Sequence, residues 1–116
     1  MTDNEKATIP GTDRTEGVLD EVADERTRQV TKWGVQTRPT GANAAFSRAR
    51  DLAQKRTDAR MKDGTATWHD ILFEEFLEAV AEEDAAKMRV ELIQLAAVAV
   101  SAVEDIDRKA AGEVAP

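Results

Sequence analysis

Four side chains stand at spacings that could do chemistry together. Glu75 and Glu78 are three apart, Glu91 and Gln94 are three apart, and twelve residues separate the pairs. On a helix, residues at i and i+3 project from the same side. Two such helices folded back on each other would therefore bring three carboxylates and one amide oxygen together. Hard oxygen ligands of this kind suit Mg²⁺ or Mn²⁺, which bind a few carboxylates and keep their other positions for water or phosphate. Without a cation, the like charges repel. The plainer alternative is an acidic helix face dispersed into solvent.

These residues need two helices to hold them. The run Met88 to Val103 is apolar or small almost all round, apart from Arg89 and from Glu91, Gln94 and Ser101, which share one sector with Val98. A helix of that character is expected at the centre of a bundle, with Glu91 partly buried. An ionised carboxylate buried without a partner costs several kcal/mol, whereas a leucine there would gain roughly 1.5–3 kcal/mol. Something cationic should face Glu91, either an arginine or lysine from a neighbouring helix or a metal ion. The preceding helix is predicted over Trp68 to Ala81, opened by Thr67 with Asp70 in a capping-box position. Phe73, Phe76, Leu77 and Val80 share one side of it, and Ile71, Glu75, Glu78 and Glu82 the other. The short link Glu82 to Asp84, with Asp84 as N-cap of the fourth helix, makes helices three and four antiparallel neighbours.

Two further helices precede this hairpin. The first is predicted from about Glu16 to Trp33, with Arg26 and Gln29 inside its apolar stripe, and Gly34 ends it. Arg26 either snorkels outward or turns inward as a partner for buried carboxylates. After a loop punctuated by Pro39 and Gly41, Asn43 is the expected N-cap of a second helix, Ala44 to Lys62, ended by Asp63-Gly64. Its apolar stripe (Phe46, Ala49, Leu52, Ala53) is thin, so it is expected to pack weakly and to be the most mobile part of the fold, a candidate lid. Residues 1–15 read as a loosely attached or disordered arm, residues 16–111 as one helical domain, and residues 112–116 as a frayed tail, with fraying from about Asp107.

Composition sets the outer limits. A chain of 116 residues is one domain with a small core, and its richness in Ala, Glu and Arg with little Gly or Pro argues for an all-α fold. The absence of cysteine excludes disulfides, thiol nucleophiles and cysteine zinc sites. No apolar run is long enough to span a bilayer and no leader is evident, so the expectation is a cytoplasmic protein without membrane contact. The net charge of −7 divides unevenly, with ten Lys or Arg against two acids from Arg26 to Lys62, and twelve acids against two basic residues from Asp63 to Asp107. An acidic whole argues against direct nucleic-acid binding. A basic third beside an acidic third fits a metal on one wall and a small polyanion held from the other. Two helical layers attracting through surface charge would look the same.

Glu74-Glu75-Phe76-Leu77-Glu78, twelve residues, then Glu91-Leu92-Ile93-Gln94 resembles the E-E-x-x-E, spacer, E-x-x-D signature of the MazG-like, all-α nucleoside triphosphate pyrophosphohydrolases. Glu25 to Gln29, Lys32-Trp33-Gly34, Gln36, Thr67-Trp68, Ile71-Leu72 and the run from Glu91 to Val100 are similar to the short phage-type members. The resemblance covers residues 18 to 108 or so. It implies a four-helix MazG-like bundle with an acidic antiparallel hairpin, assembled as a homodimer or homotetramer in a bacterium or the host cell of a phage. It further implies Mg²⁺-dependent hydrolysis of a nucleoside triphosphate to the monophosphate and pyrophosphate, Mn²⁺ being a possible substitute. By matching positions, Glu75, Glu78 and Glu91 would be metal ligands, with Gln94 standing where the family has aspartate. Glu74 is the candidate base, with Glu75 also placed in the catalytic set. Arg26, Arg28, Gln29 and Lys32 on the first helix, or Lys55 and Arg56 on the second, are candidates to hold substrate, and spacing does not choose among them. Trp33 or Trp68 could stack on the base, or pack in the core or against a helix end. His69, at a helix start, reads as a surface or capping residue. Two other readings stay open: a nucleotide-binding or sequestering protein with little turnover, for which Gln94 and the bulky Leu77 speak, and a helical oligomerisation or adaptor module.

Overall fold

Local capping signals set the helix boundaries. A computed structural model describes residues 9–116, and no strand occurs among them. The helices are α1 (Thr15–Trp33), α2 (Ser47–Asp63), α3 (Trp68–Ala81) and α4 (Ala85–Ala110), with a 3-10 turn at Ala44–Phe46 ahead of α2. The fold is all-α. At the start of α3, the Thr67 and Asp70 side chains each accept from the other's backbone N–H, the reciprocal capping box expected there. Asp84 caps α4 by accepting from the Lys87 N–H at 2.9 Å. Asn43 caps as expected, accepting from the Ala45 N–H at 2.8 Å, but it opens the 3-10 turn, and the α-helix proper begins only at Ser47. Gly64 stops α2 at a φ of 79°, in the left-handed region that suits glycine.

Helix α4 runs three residues past the predicted fraying point. Lys109 donates to Asp105 one turn back at 3.0 Å, and basic residues occupy the last turn, where the helix carbonyls favour positive charge.

The described chain divides into two compact units. In the one formed by residues 9–36 and 103–116, Val18 and Glu104 are buried, and the Thr15 hydroxyl donates to Glu104 at 2.5 Å. Arg14 pairs with Glu113, and Arg108 donates to the Gly11 carbonyl at 3.1 Å. Residues 9–14 of the expected arm are thus tied to the chain's C-terminal segment, as is part of the expected tail. Residues 1–8 of that arm lie outside the described residues.

The other unit, Thr37–Ala102, contains α2, α3 and most of α4. Its buried apolar residues are Leu77, Ala79, Ala81, Met88, Val100 and Ala102. Helix α2 runs antiparallel to α3, since Arg60 and Thr57 meet Asp70 at one end while the Asn43 N–H, just before α2, donates to the Val80 carbonyl at the other. Polar contacts therefore do much of what the thin apolar stripe of α2 could not. One expectation about the core is corrected, and one aromatic face stays open. Phe73 and Phe76 remain nearly half exposed, Phe73 lining an open groove with Leu52, Ala53 and Thr57 of α2. Helix α4 is not enclosed on all sides, for Val90, Leu92 and Ile93 are also exposed. The chain has more apolar helix surface than neighbours to cover it.

A candidate metal centre between two helices

The return of the chain through Glu82–Asp84 sets the α4 residue Glu91 against Glu75 and Glu78 of α3. One carboxylate oxygen from each of the three lies within 4.8 Å of the others, and all three residues are half-buried. The i,i+3 pair on α3 and the single residue on α4 thus converge as their spacing predicted. Burial comes first among the causes that push Glu78 up to about 7, followed by the charges of Glu75, Glu91 and Glu74. Burial, then the neighbouring Glu91, raises Glu75 as well. Glu78 also shares hydrogen bonds with both of its neighbours, so a proton on Glu78 can do part of what a cation would do.

Two observations bear on whether the donors fit a divalent cation. One Oε2 atom on Glu75 and another on Glu91 are closed off from solvent and accept no hydrogen bond. Among the described residues, no arginine or lysine forms an ion pair with Glu75, Glu78 or Glu91. Of the two cationic partners considered for Glu91, the side chain is not used. Buried carboxylate oxygens lacking donors, in a set made only of hard oxygens, could hold a hard divalent cation.

A hollow of about 300 Å³ opens on this cluster, lined by Glu78, Glu82 and Glu91 and, from α2, by Arg50, Asp51 and Gln54. Glu74 points toward α2 as well. Burial raises its pKa, with Asp58 and then Glu75 adding to the rise, while a hydrogen bond with Thr57 opposes it. Gln94 is exposed and does not line the hollow. Leu77 is buried, so its bulk is directed into the core and away from the carboxylates.

The cationic candidates fall in different places. Lys55 is exposed on α2 and outside the hollow. Arg56 lies 3.9 Å from Asp70 and lines a separate, mostly apolar groove of about 260 Å³ with Leu52, His69 and Phe73. His69 stacks on Phe73 with ring centroids 5.9 Å apart, at the surface position expected of it. Arg26, Arg28, Gln29, Lys32 and Trp33 belong to the other unit. There Arg26 turns outward and donates to Gln29 at 2.7 Å, and Arg28 pairs with Glu25. Trp33 is 58% exposed with the Lys32 ammonium 4.8 Å from its ring, a cation–π contact at the end of α1 rather than a core position. Arg26, Gln29 and Trp33 line a surface pocket of about 400 Å³ there.

Sequence reasoning missed Arg50, Asp51, Gln54 and Glu82 as lining residues. Arg50 and Gln54 are four apart and so share a face of α2, but which face of that helix meets α3 is not encoded in its weak apolar stripe. Compared with known protein families, curated proteins and solved structures, the chain matches none of them.

Proposed function

We propose that this chain is a Mg²⁺-dependent nucleoside triphosphate pyrophosphohydrolase of the MazG-like kind, releasing the nucleoside monophosphate and pyrophosphate. The observation that carries the reading is the meeting of Glu75, Glu78 and Glu91, with buried, donorless oxygens, at the positions where the sequence resembles that family. Glu75, Glu78 and Glu91 would hold the cation. When bound, a divalent ion supplies Lewis acidity toward the phosphates and lowers the pKa of water. Glu74, with its pKa raised mainly by burial, orients the attacking water and takes its proton. Gln94, exposed and neutral, adds no charge to the set, which supports a site with fewer tightly held ions than the family's four-acid pattern.

The half-exposed apolar side chains of α4 and α3 support a homodimer or homotetramer, in which shared burial would stabilise the helices. No helix among the described residues is long and apolar enough to cross a membrane. A cytoplasmic setting, in a bacterium or a phage-infected cell, goes with nucleotide chemistry of this kind.

The test is incubation with a panel of ordinary and modified nucleoside triphosphates plus Mg²⁺, with monophosphate and pyrophosphate as the readout. Pyrophosphate and monophosphate in equal amounts are expected. Release of inorganic phosphate with the diphosphate, or no product, would overturn the reading. The second reading, a nucleotide-binding protein with little turnover, is favoured by Gln94 alone. It predicts Mg²⁺-dependent nucleotide binding without product.

A further inference from the structure

We propose that Arg50 holds the phosphate tail of the ligand from the wall facing the carboxylates, and that this hollow recognises the polyphosphate and not the base. The inference rests on the reading above and extends it to a residue that the sequence resemblance does not assign. Every side chain lining the hollow is polar or charged, with no aromatic or aliphatic surface on which a base could stack. A volume of about 300 Å³ has room for linked phosphates and bound cations. Arg50 is the one cation among the lining residues, set against Asp51, Glu78, Glu82 and Glu91.

Its present partner holds it only weakly. Arg50 Nε donates to Asp51 Oδ1 at 3.2 Å, a contact between adjacent residues whose side chains diverge on a helix, and the Arg50 side chain is 35% exposed. Its two terminal amino groups make no hydrogen bond among the described residues, which leaves the planar donor face of the guanidinium for an anion. With the carboxylates neutralised by divalent cations, a polyphosphate bridging the cluster and Arg50 would be stabilised from both walls. Arg50 would then offset the charge that builds on the departing pyrophosphate.

Three probes test this on the full chain: Mn²⁺ alone, inorganic tripolyphosphate with Mg²⁺, and nucleoside triphosphates differing only in base. Arg50→Gln should keep Mn²⁺ affinity within about threefold of the unaltered protein while weakening tripolyphosphate about ten- to a hundredfold, the loss expected for charge-assisted hydrogen bonds. Nucleotide affinity should fall by the same factor whatever the base. Arg50→Lys should recover part of the loss and so separate charge from fold, and Arg48→Gln, which removes an exposed cation from the same helix outside the hollow, should change neither ligand by more than about threefold. Undiminished tripolyphosphate binding by a folded Arg50→Gln would overturn this inference and leave the hydrolase reading standing. So would loss of Mn²⁺ binding or of helical circular dichroism in Arg50→Gln and Arg50→Lys alike, which would make Arg50 a support of the fold. Base-dependent losses would overturn the claim that only the polyphosphate is read. Failure of the unaltered protein to bind either Mn²⁺ or tripolyphosphate would remove the hydrolase reading itself.

Discussion

Helix α3 carries acidic side chains in two opposite conditions little more than a turn apart. At its first turn, Asp70 is only 4% exposed yet fully satisfied. It accepts from the Thr67 N–H and hydroxyl, and from Arg60 at 3.0 and 3.1 Å, with Arg56 also near. The Thr67 backbone bond foremost, then Arg60, holds its pKa down at about 2 despite burial. Further along, Glu75 and Glu78 face Glu91 with no such donors, and Glu78 is pushed up to about 7. The same helix pair, α2 and α3, thus sets Arg56 and Arg60 on Asp70 at one end and leaves Glu75 and Glu78, further along, without an ion-pair partner among the described residues. A carboxylate surrounded by donors serves the fold. Carboxylates gathered with little but one another for hydrogen-bond partners weaken the fold as they ionise, a pattern found at functional sites.

That contrast can be broken most sharply at Glu78. Glu78→Gln is expected to lower turnover by at least about a hundredfold, the scale seen even for residues that only support metal ligands, with helical circular dichroism unchanged. In metal-free buffer at pH 8, the same change should leave the melting temperature the same or higher, because it removes a repelling charge. A clear loss of stability there would mean that Glu78 is a structural group like Asp70.

The pH dependence of metal-free stability should differ between the two sites. For Glu78 the folded pKa lies above the unfolded value near 4.5, so the folded state binds more protons between about 4.5 and about 7. Its contribution therefore falls as pH rises through that window. For Asp70 the folded pKa of about 2 lies below 3.8, so its contribution is present above 3.8 and is lost as pH falls toward 2. Mg²⁺ should offset only the upper loss, raising stability at pH 8 by about 2.7 kcal/mol at a hundredfold excess over its dissociation constant and by much less at pH 5. Thermal melts with and without the ion measure both limbs, and equal stabilisation at the two pH values would count against the glutamates as ligands.

Smaller effects sharpen the picture. Thr67→Ala should cost about 0.5–2 kcal/mol in denaturant unfolding through loss of the cap, with the Mn²⁺ affinity of the remaining folded protein unaltered. Gln94→Asp, which adds a negative charge one turn beyond Glu91, should tighten Mg²⁺ several-fold, in line with about 1 kcal/mol for unit charges 4 Å apart in water. Titration calorimetry would detect it, and no change at all would place position 94 outside the reach of the site.

The sequence by itself determined the four helices and several of their ends, because Thr67, Asp70, Asp84 and Gly64 act on backbone groups within a few residues of themselves, although Asn43 opens a 3-10 turn where an α-helix was expected. It also determined that Glu75 and Glu78 share a face, a matter of helical pitch alone, and a three-residue link was enough to bring α4 back beside α3. Only the tertiary structure decided which side of α2 would meet that face. Its apolar stripe is too thin to dictate a rotation, and the choice falls to long-range contacts such as Arg60 with Asp70, which turn Arg50 and Gln54 toward the carboxylates and Arg56 away. For the same reason the exposed Phe73, Phe76 and Leu92 could not be foreseen. Hydrophobic patterning states which side chains favour burial, but how many neighbours arrive to bury them is a property of the assembled helices.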